Sequence, residues 1–134
     1  MKKYIIALFF IFLSSLCFAV SPAPEKNKSQ DNDNPALSGK VDNGVRIIEV
    51  QVSRYKFSPD PIVVKLGERV RLVLTSSDVA HGLVISEFNV KLICDIGKTS
   101  TVEFVADKKG TFVVRCNVYC GPGHTHMQAS FVVK

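Results

Sequence analysis

The 134 residues contain no tryptophan, only three histidines and two methionines, and of the methionines only Met127 lies beyond the first position. Nothing after residue 20 repeats apolar residues at helical spacing between capping residues, which argues against a helical bundle and against an α/β fold. No basic block is interleaved with aromatics, and the lysines are scattered singly, so no nucleic-acid partner is implied. No internal repeat is visible, and the length leaves room for one ordinary domain. The longest apolar run, Tyr4 to Leu13, is shorter than the roughly 20 residues that a bilayer-spanning helix needs.

What is present begins with that run. Lys2 and Lys3 precede it, and small or uncharged residues, Cys17, Phe18 and Ala19, close it, as in a secretory signal cut after Ala19. The competing reading keeps residues 1–19 as a short membrane anchor, with the lysines on the cytoplasmic side. Both readings export everything that follows, to the periplasm or the outer face of the membrane. Leu16 before Cys17 is larger than the residue a lipoprotein signal usually carries there, which makes lipid attachment the minor option. Of the 17 Lys and Arg, removal of Lys2 and Lys3 leaves 15 against 12 Asp and Glu, so the exported part is only mildly basic.

Residues 20–44 are rich in Pro, Asn, Asp, Ser and Lys, too polar to offset the entropy of ordering, and read as a flexible linker. From Val45 onward apolar residues recur every second position: Ile48, Val50 and Val52, then Val70, Leu72 and Leu74, then Val102 and Phe104. Period two marks strands with one buried face. Shorter apolar runs at 62–64, 83–85, 90–93, 111–114 and 130–133 are separated by turn-forming pieces such as Ser58-Pro59-Asp60-Pro61 and Lys108-Lys109-Gly110. About eight strands result, and residues 45–134 are expected to form an all-β, two-sheet antiparallel sandwich.

The chemistry is concentrated between Cys116 and Met127, where two thiols, two imidazoles and a thioether lie within twelve residues. Cys120, His124 and Met127 form a single-copper pattern of thiolate, imidazole and weak thioether on one loop between the last two strands. His81, at the junction of two predicted strands, completes it from a loop at the same end of the sandwich. Cys116, four residues before Cys120, extends the pattern, because two thiolates on one loop can bridge two metal ions while each imidazole caps one. Fixed soft ligands would limit geometric change between oxidation states, which suits one-electron transfer.

Other readings of these residues stand beside that one. Two thiols four apart in an oxidising compartment can close a disulfide, although such a bridge has no use for His and Met at ligand spacing. Zinc takes two Cys and two His, but the thioether and the exported location favour copper. His126, beside Met127, reads as a non-ligand, although extended-chain spacing alone does not separate it from His124. Cys94 ends an apolar run and reads as a buried structural thiol. Gly121, Pro122 and Gly123 read as shaping the loop.

These residues resemble a known family: the dinuclear copper (CuA) domain of cytochrome c oxidase subunit II, a cupredoxin-like Greek-key sandwich shared with nitrous oxide reductase. The likeness runs from about Tyr55 to Lys134. It rests on Asp78-Val79-Ala80-His81-Gly82 and on Cys-x-x-x-Cys-x-x-x-His-x-x-Met from Cys116 to Met127. The variant Cys116-Asn117-Val118-Tyr119-Cys120-Gly121 with Gly123-His124 is most similar to subunit II of ba3-type oxidases. The resemblance implies that Cys116 and Cys120 bridge two coppers, that His81 and His124 each bind one, and that Met127 and the Val118 carbonyl are weak ligands. It also implies a redox donor such as cytochrome c and, as acceptor, the catalytic subunit of a haem-copper oxidase.

Three features depart from the family pattern. Val118 stands where many such subunits place a Glu that helps to bind magnesium at the boundary with the catalytic subunit. The absence of Trp removes the aromatic residue commonly used to receive the electron from cytochrome c. An export signal and linker stand where one or two membrane helices are usual. The chain is expected to be either an oxidase subunit or a free-standing carrier, and not the catalyst of oxygen reduction, since two of its three His are already used as ligands. The alternative from another class is a copper-delivery protein or sensor, and a third reading is a single-copper carrier.

Overall fold

The computed structural model describes residues 35–134. The expected signal segment 1–19, and the expected linker up to residue 34, lie outside the described residues. Ten strands follow: β1 (Lys40–Asp42), β2 (Val45–Ser53), β3 (Lys56–Ser58), β4 (Ile62–Val64), β5 (Arg69–Ser76), β6 (His81–Ile85), β7 (Val90–Cys94), β8 (Thr99–Val105), β9 (Gly110–Arg115) and β10 (Gln128–Val133). They form two sheets, β1-β2-β5-β8 with β3 also on β2, and β4-β10-β9-β6-β7. The sandwich is therefore all-β, as the period-two pattern predicts, and cupredoxin-like, as the family resemblance implies.

The alternation seen in the sequence becomes the core. Ile48, Val50 and Val52 from β2 and Val70, Leu72 and Leu74 from β5 meet Leu83 and Ile85 from β6, Val114 from β9 and Phe131 and Val133 from β10. Each buried side chain of this size contributes roughly 1.5–3 kcal/mol relative to exposure. Phe88, just past the end of β6 away from His81, packs on Phe104, Phe112 and Phe131 at 5.0–5.5 Å between ring centroids, closing that end. The opposite end, where β6 begins and β9 ends, is left to the loops.

Three details differ from the sequence reading. The strands number ten, because β1 and β3 are three residues long and too short to display a period. Pairing is mixed, since β2 runs parallel to β5 and β4 parallel to β10. A buried face repeats every second residue in either orientation, so periodicity carries no direction. The folded part also starts before Val45. Ser38 is buried and exchanges hydrogen bonds with Val63, donating N–H to its carbonyl at 2.8 Å and accepting its N–H on Oγ at 2.9 Å. Backbone pairing, which composition does not reveal, orders this polar segment. Gly39 belongs to it at φ 65°, where a Cβ would fall 2.1 Å from the Ile47 carbonyl oxygen.

Candidate metal centre

His81 is the first residue of β6 and is completely buried, paired across the sheet with Cys94 of β7. Cys116 follows the last residue of β9, so its position is fixed by that strand. The chain from Cys116 to Met127 is a closed loop between β9 and β10: the Cys116 N–H donates to the Met127 carbonyl at 3.3 Å across its base. Within it, His124 donates N–H to Gly121 O at 3.0 Å, and Met127 donates N–H to His124 O at 3.1 Å, winding residues 124–126 into a single 3-10 turn. That turn brings His124 and Met127 back over Cys120.

The result is one cluster of donor atoms. The ligand atoms of His81, Cys116 and Cys120 all lie within 4.8 Å of one another, and all three residues are buried. His81 Nδ1 is 3.9 Å from Cys116 Sγ, and His124 Nδ1 is 3.7 Å from Cys120 Sγ. Met127 Sδ lies 3.7 Å from Cys120 Sγ, and the Cys116 thiol donates to Val118 O at 3.1 Å. All six residues singled out in the sequence thus converge. His126 does not join them: it is exposed and its Nδ1 contacts Thr125 Oγ1 at 3.1 Å. Cys94 is buried apart from the cluster, its thiol donating to the carbonyls of Leu74 and Lys98 at 3.3 and 3.0 Å.

Electrostatics follow from burial. The Cys120 thiol is pushed up to about 11 by desolvation first, and then by the adjacent Cys116. The Cys120 thiol is therefore held protonated at neutral pH, and a metal ion bound there would displace its proton. The other ring nitrogen of His81, Nε2, is 2.8 Å from Asp78 Oδ1, which fixes the ring so that Nδ1 faces the thiols. Burial opposes ionisation of Asp78, but the Arg54 N–H, His81 and the Val79 N–H outweigh it and hold the carboxyl below its ordinary range.

Several residues around the cluster were given no role at the metal in the sequence reading, although Asp78 and Gly82 belong to the motif that carries the resemblance. Asp78 is three residues before His81, a spacing that could have suggested an orienting carboxylate. Gly82 donates its N–H to Cys116 Sγ at 3.4 Å and leaves room for the Asn117 side chain, whose Oδ1 would be 1.7 Å from a Cβ there. Arg54 and Tyr55, on the β2–β3 turn, reach the same loop from the other sheet, and no local sequence signal marks them. Gly121 and Gly123 shape the loop as expected, with Gly121 at φ 135°.

A model of the family described as the periplasmic domain of cytochrome c oxidase subunit II matches residues 41–134. The chain belongs to this family. Among curated subunit II proteins, the one from Thermus thermophilus is 35% identical over 80 residues, covering 60% of this chain and 59% of that protein. Nitrous-oxide reductase of Cupriavidus necator is 32% identical over 106 residues, covering 75% of this chain and 16% of its own. The chain thus spans only about half to three-fifths of the length of the subunit II relatives from Thermus. A chain of a heme-copper terminal oxidase dimer superposes with a TM-score of 0.63 at 26% identity, covering 78% of this chain and 76% of that one. The periplasmic domain of subunit II from Bradyrhizobium japonicum shares the fold, with a TM-score of 0.62 at 21% identity over 66% of this chain and 83% of that domain.

Proposed function

We propose that this subunit II domain is a one-electron carrier with a binuclear copper centre, Cys116 and Cys120 bridging the two ions. His81 and His124 each bind one ion through Nδ1, and Met127 and the Val118 carbonyl serve as weak outer ligands. The observation that carries this reading is the single buried cluster in which both thiols face one another and each has its own imidazole within 4 Å. Two soft sulfurs with imidazoles and a thioether are a donor set suited to copper. Copper supplies the one-electron redox change; the protein supplies a ligand frame that the strands hold nearly constant.

Each residue has a mechanical part in that frame. β6 holds His81, Asp78 fixes its ring, β9 holds Cys116, and the 3-10 turn holds His124. His124 is the more exposed imidazole, and Tyr119, 76% exposed, lies 5.8 Å from its ring centroid. In a chain without Trp, this is the face on which a donor such as cytochrome c would dock. The acceptor is the catalytic subunit of a haem-copper oxidase, and the domain works outside the cytoplasmic membrane. Residues 1–19 fit an export signal or a short anchor, and among the described residues no helix is long and apolar enough to cross a membrane. Burial of both thiols disfavours copper delivery, which needs ready release.

Copper stoichiometry and electron paramagnetic resonance of the purified, copper-loaded chain test the proposal. Two coppers per chain sharing one delocalised electron are expected. One copper with a localised signal, or ready loss to a chelator, overturns it in favour of the single-copper or delivery readings.

A further inference from the structure

Arg54 and Tyr55 lie on the turn between β2 and β3, in the sheet opposite the strands that carry His81 and the cysteines. They nevertheless touch both ligand-bearing segments. The Arg54 backbone N–H donates to Asp78 Oδ2 at 2.7 Å, while Oδ1 of the same carboxylate holds His81 Nε2 at 2.8 Å. The Arg54 guanidinium donates from Nε to the Cys120 carbonyl at 2.8 Å. The Tyr55 ring lies against the loop that follows: a Cβ on Gly121 would fall 2.4 Å from its hydroxyl, and one on Gly123 would fall 2.5 Å from the ring. Only glycines at these two places let the ring seat there.

We propose that the Arg54–Tyr55 turn is a clamp joining the two ligand segments, and that Arg54 is a positioning residue whose positive charge raises the reduction potential of the copper centre. This rests on the binuclear reading above. Reduction adds one electron, taken from a one-electron carrier, and makes or breaks no covalent bond in the protein. The centre becomes more negative by one charge, and a fixed cation hydrogen-bonded to the backbone of a bridging cysteine favours that state. Arg54 is exposed, so water screens part of its field and the effect is modest. Its Nε bond to Cys120 O also limits outward movement of the loop, which slows loss of the metal.

The test compares copper-loaded wild-type chain with Arg54→Met and Arg54→Lys, reading copper stoichiometry, potential by redox titration, and the rate of copper loss to a chelator. Arg54→Met is expected to keep two coppers, to lose them faster, and to shift the reduction equilibrium toward the oxidised form by up to about tenfold, about 59 mV for one electron. Arg54→Lys, which keeps the charge without the Nε donor, is expected to recover most of the potential but not the retention. Should Arg54→Met fail to hold copper, the potential is read on Arg54→Gln, with the same fall expected. An unchanged potential in the neutral variant, or a Lys variant as low as the neutral one, overturns the proposal. Wild-type stoichiometry reports separately on the binuclear reading, because the clamp is judged only by differences between variants and wild type.

Discussion

Cys116, Cys120 and Cys94 are all buried thiols, at 8%, 4% and 0% exposure, and burial therefore does not separate them. Their neighbours do. The Cys94 thiol meets only backbone carbonyls, a contact that a hydroxyl can reproduce, whereas Cys116, beyond its bond to Val118 O, and Cys120 face imidazoles and a thioether. Cys116→Ser is expected to reduce copper from two per chain to one, leaving Cys120, His124 and Met127 as a single-copper set with a localised signal. Cys94→Ser is expected to leave the stoichiometry at two. Metal analysis of both variants decides it, and a Cys116→Ser protein that still binds two coppers would contradict the bridging role.

At the scale of elements, β2 carries a charge where its pattern calls for an apolar residue. Arg46 is buried in line with Ile48, and its guanidinium donates to both oxygens of Glu68 at 2.6 and 2.7 Å and to Ser38 O at 3.0 Å. The fork geometry ties β2 to the turn before β5 and to the segment before β1. The Arg46 hydrogen bonds hold the Glu68 carboxyl below its ordinary value of 4.5, more than burial raises it, and the Lys65 N–H adds to the effect. A group whose folded pKa is depressed contributes stability at pH above its unfolded value and loses it as pH falls through the folded value. Glu68→Gln is therefore expected to cost about 1.5–3 kcal/mol at neutral pH, the range for hydrogen bonds to charged groups. The gap from wild type should narrow steadily below pH 4.5, checked by denaturant unfolding across that range.

For the whole molecule, the boundary of the folded unit makes a direct prediction. Deleting residues 35–44 removes β1, both Ser38–Val63 hydrogen bonds and the Ser38 acceptor of the buried Arg46. At about 1 kcal/mol per hydrogen bond, and more for the one that the charged Arg46 donates to Ser38 O, the loss is on the order of 3 kcal/mol. For a domain of this size that corresponds to roughly 10–20 °C in Tm. Calorimetry is expected to show this fall with the sandwich still formed, because the core of β2, β5, β6 and β10 does not include residues 35–44. An unchanged Tm would return the segment to the status of a linker.

The sequence by itself determined the sandwich class and which thiol, imidazole and thioether side chains gather at one end of it. A period of two in Ile48, Val50 and Val52 or Val70, Leu72 and Leu74 follows from the geometry of a single strand, and the spacing Cys116, Cys120, His124, Met127 lies within one loop. Both are local properties, and local properties can be read from a string. His81 was legible too, since a sandwich collects its loops at its ends. What depends on which strands meet could not be read that way: the parallel pairing of β2 with β5, the ordering of Ser38 against Val63, the reach of Arg54 across to Asp78 and Cys120, 24 and 66 residues away, and the seat of Tyr55 against Gly121 and Gly123. Only tertiary structure decided these, because hydrogen bonds between distant segments leave no periodic trace in either.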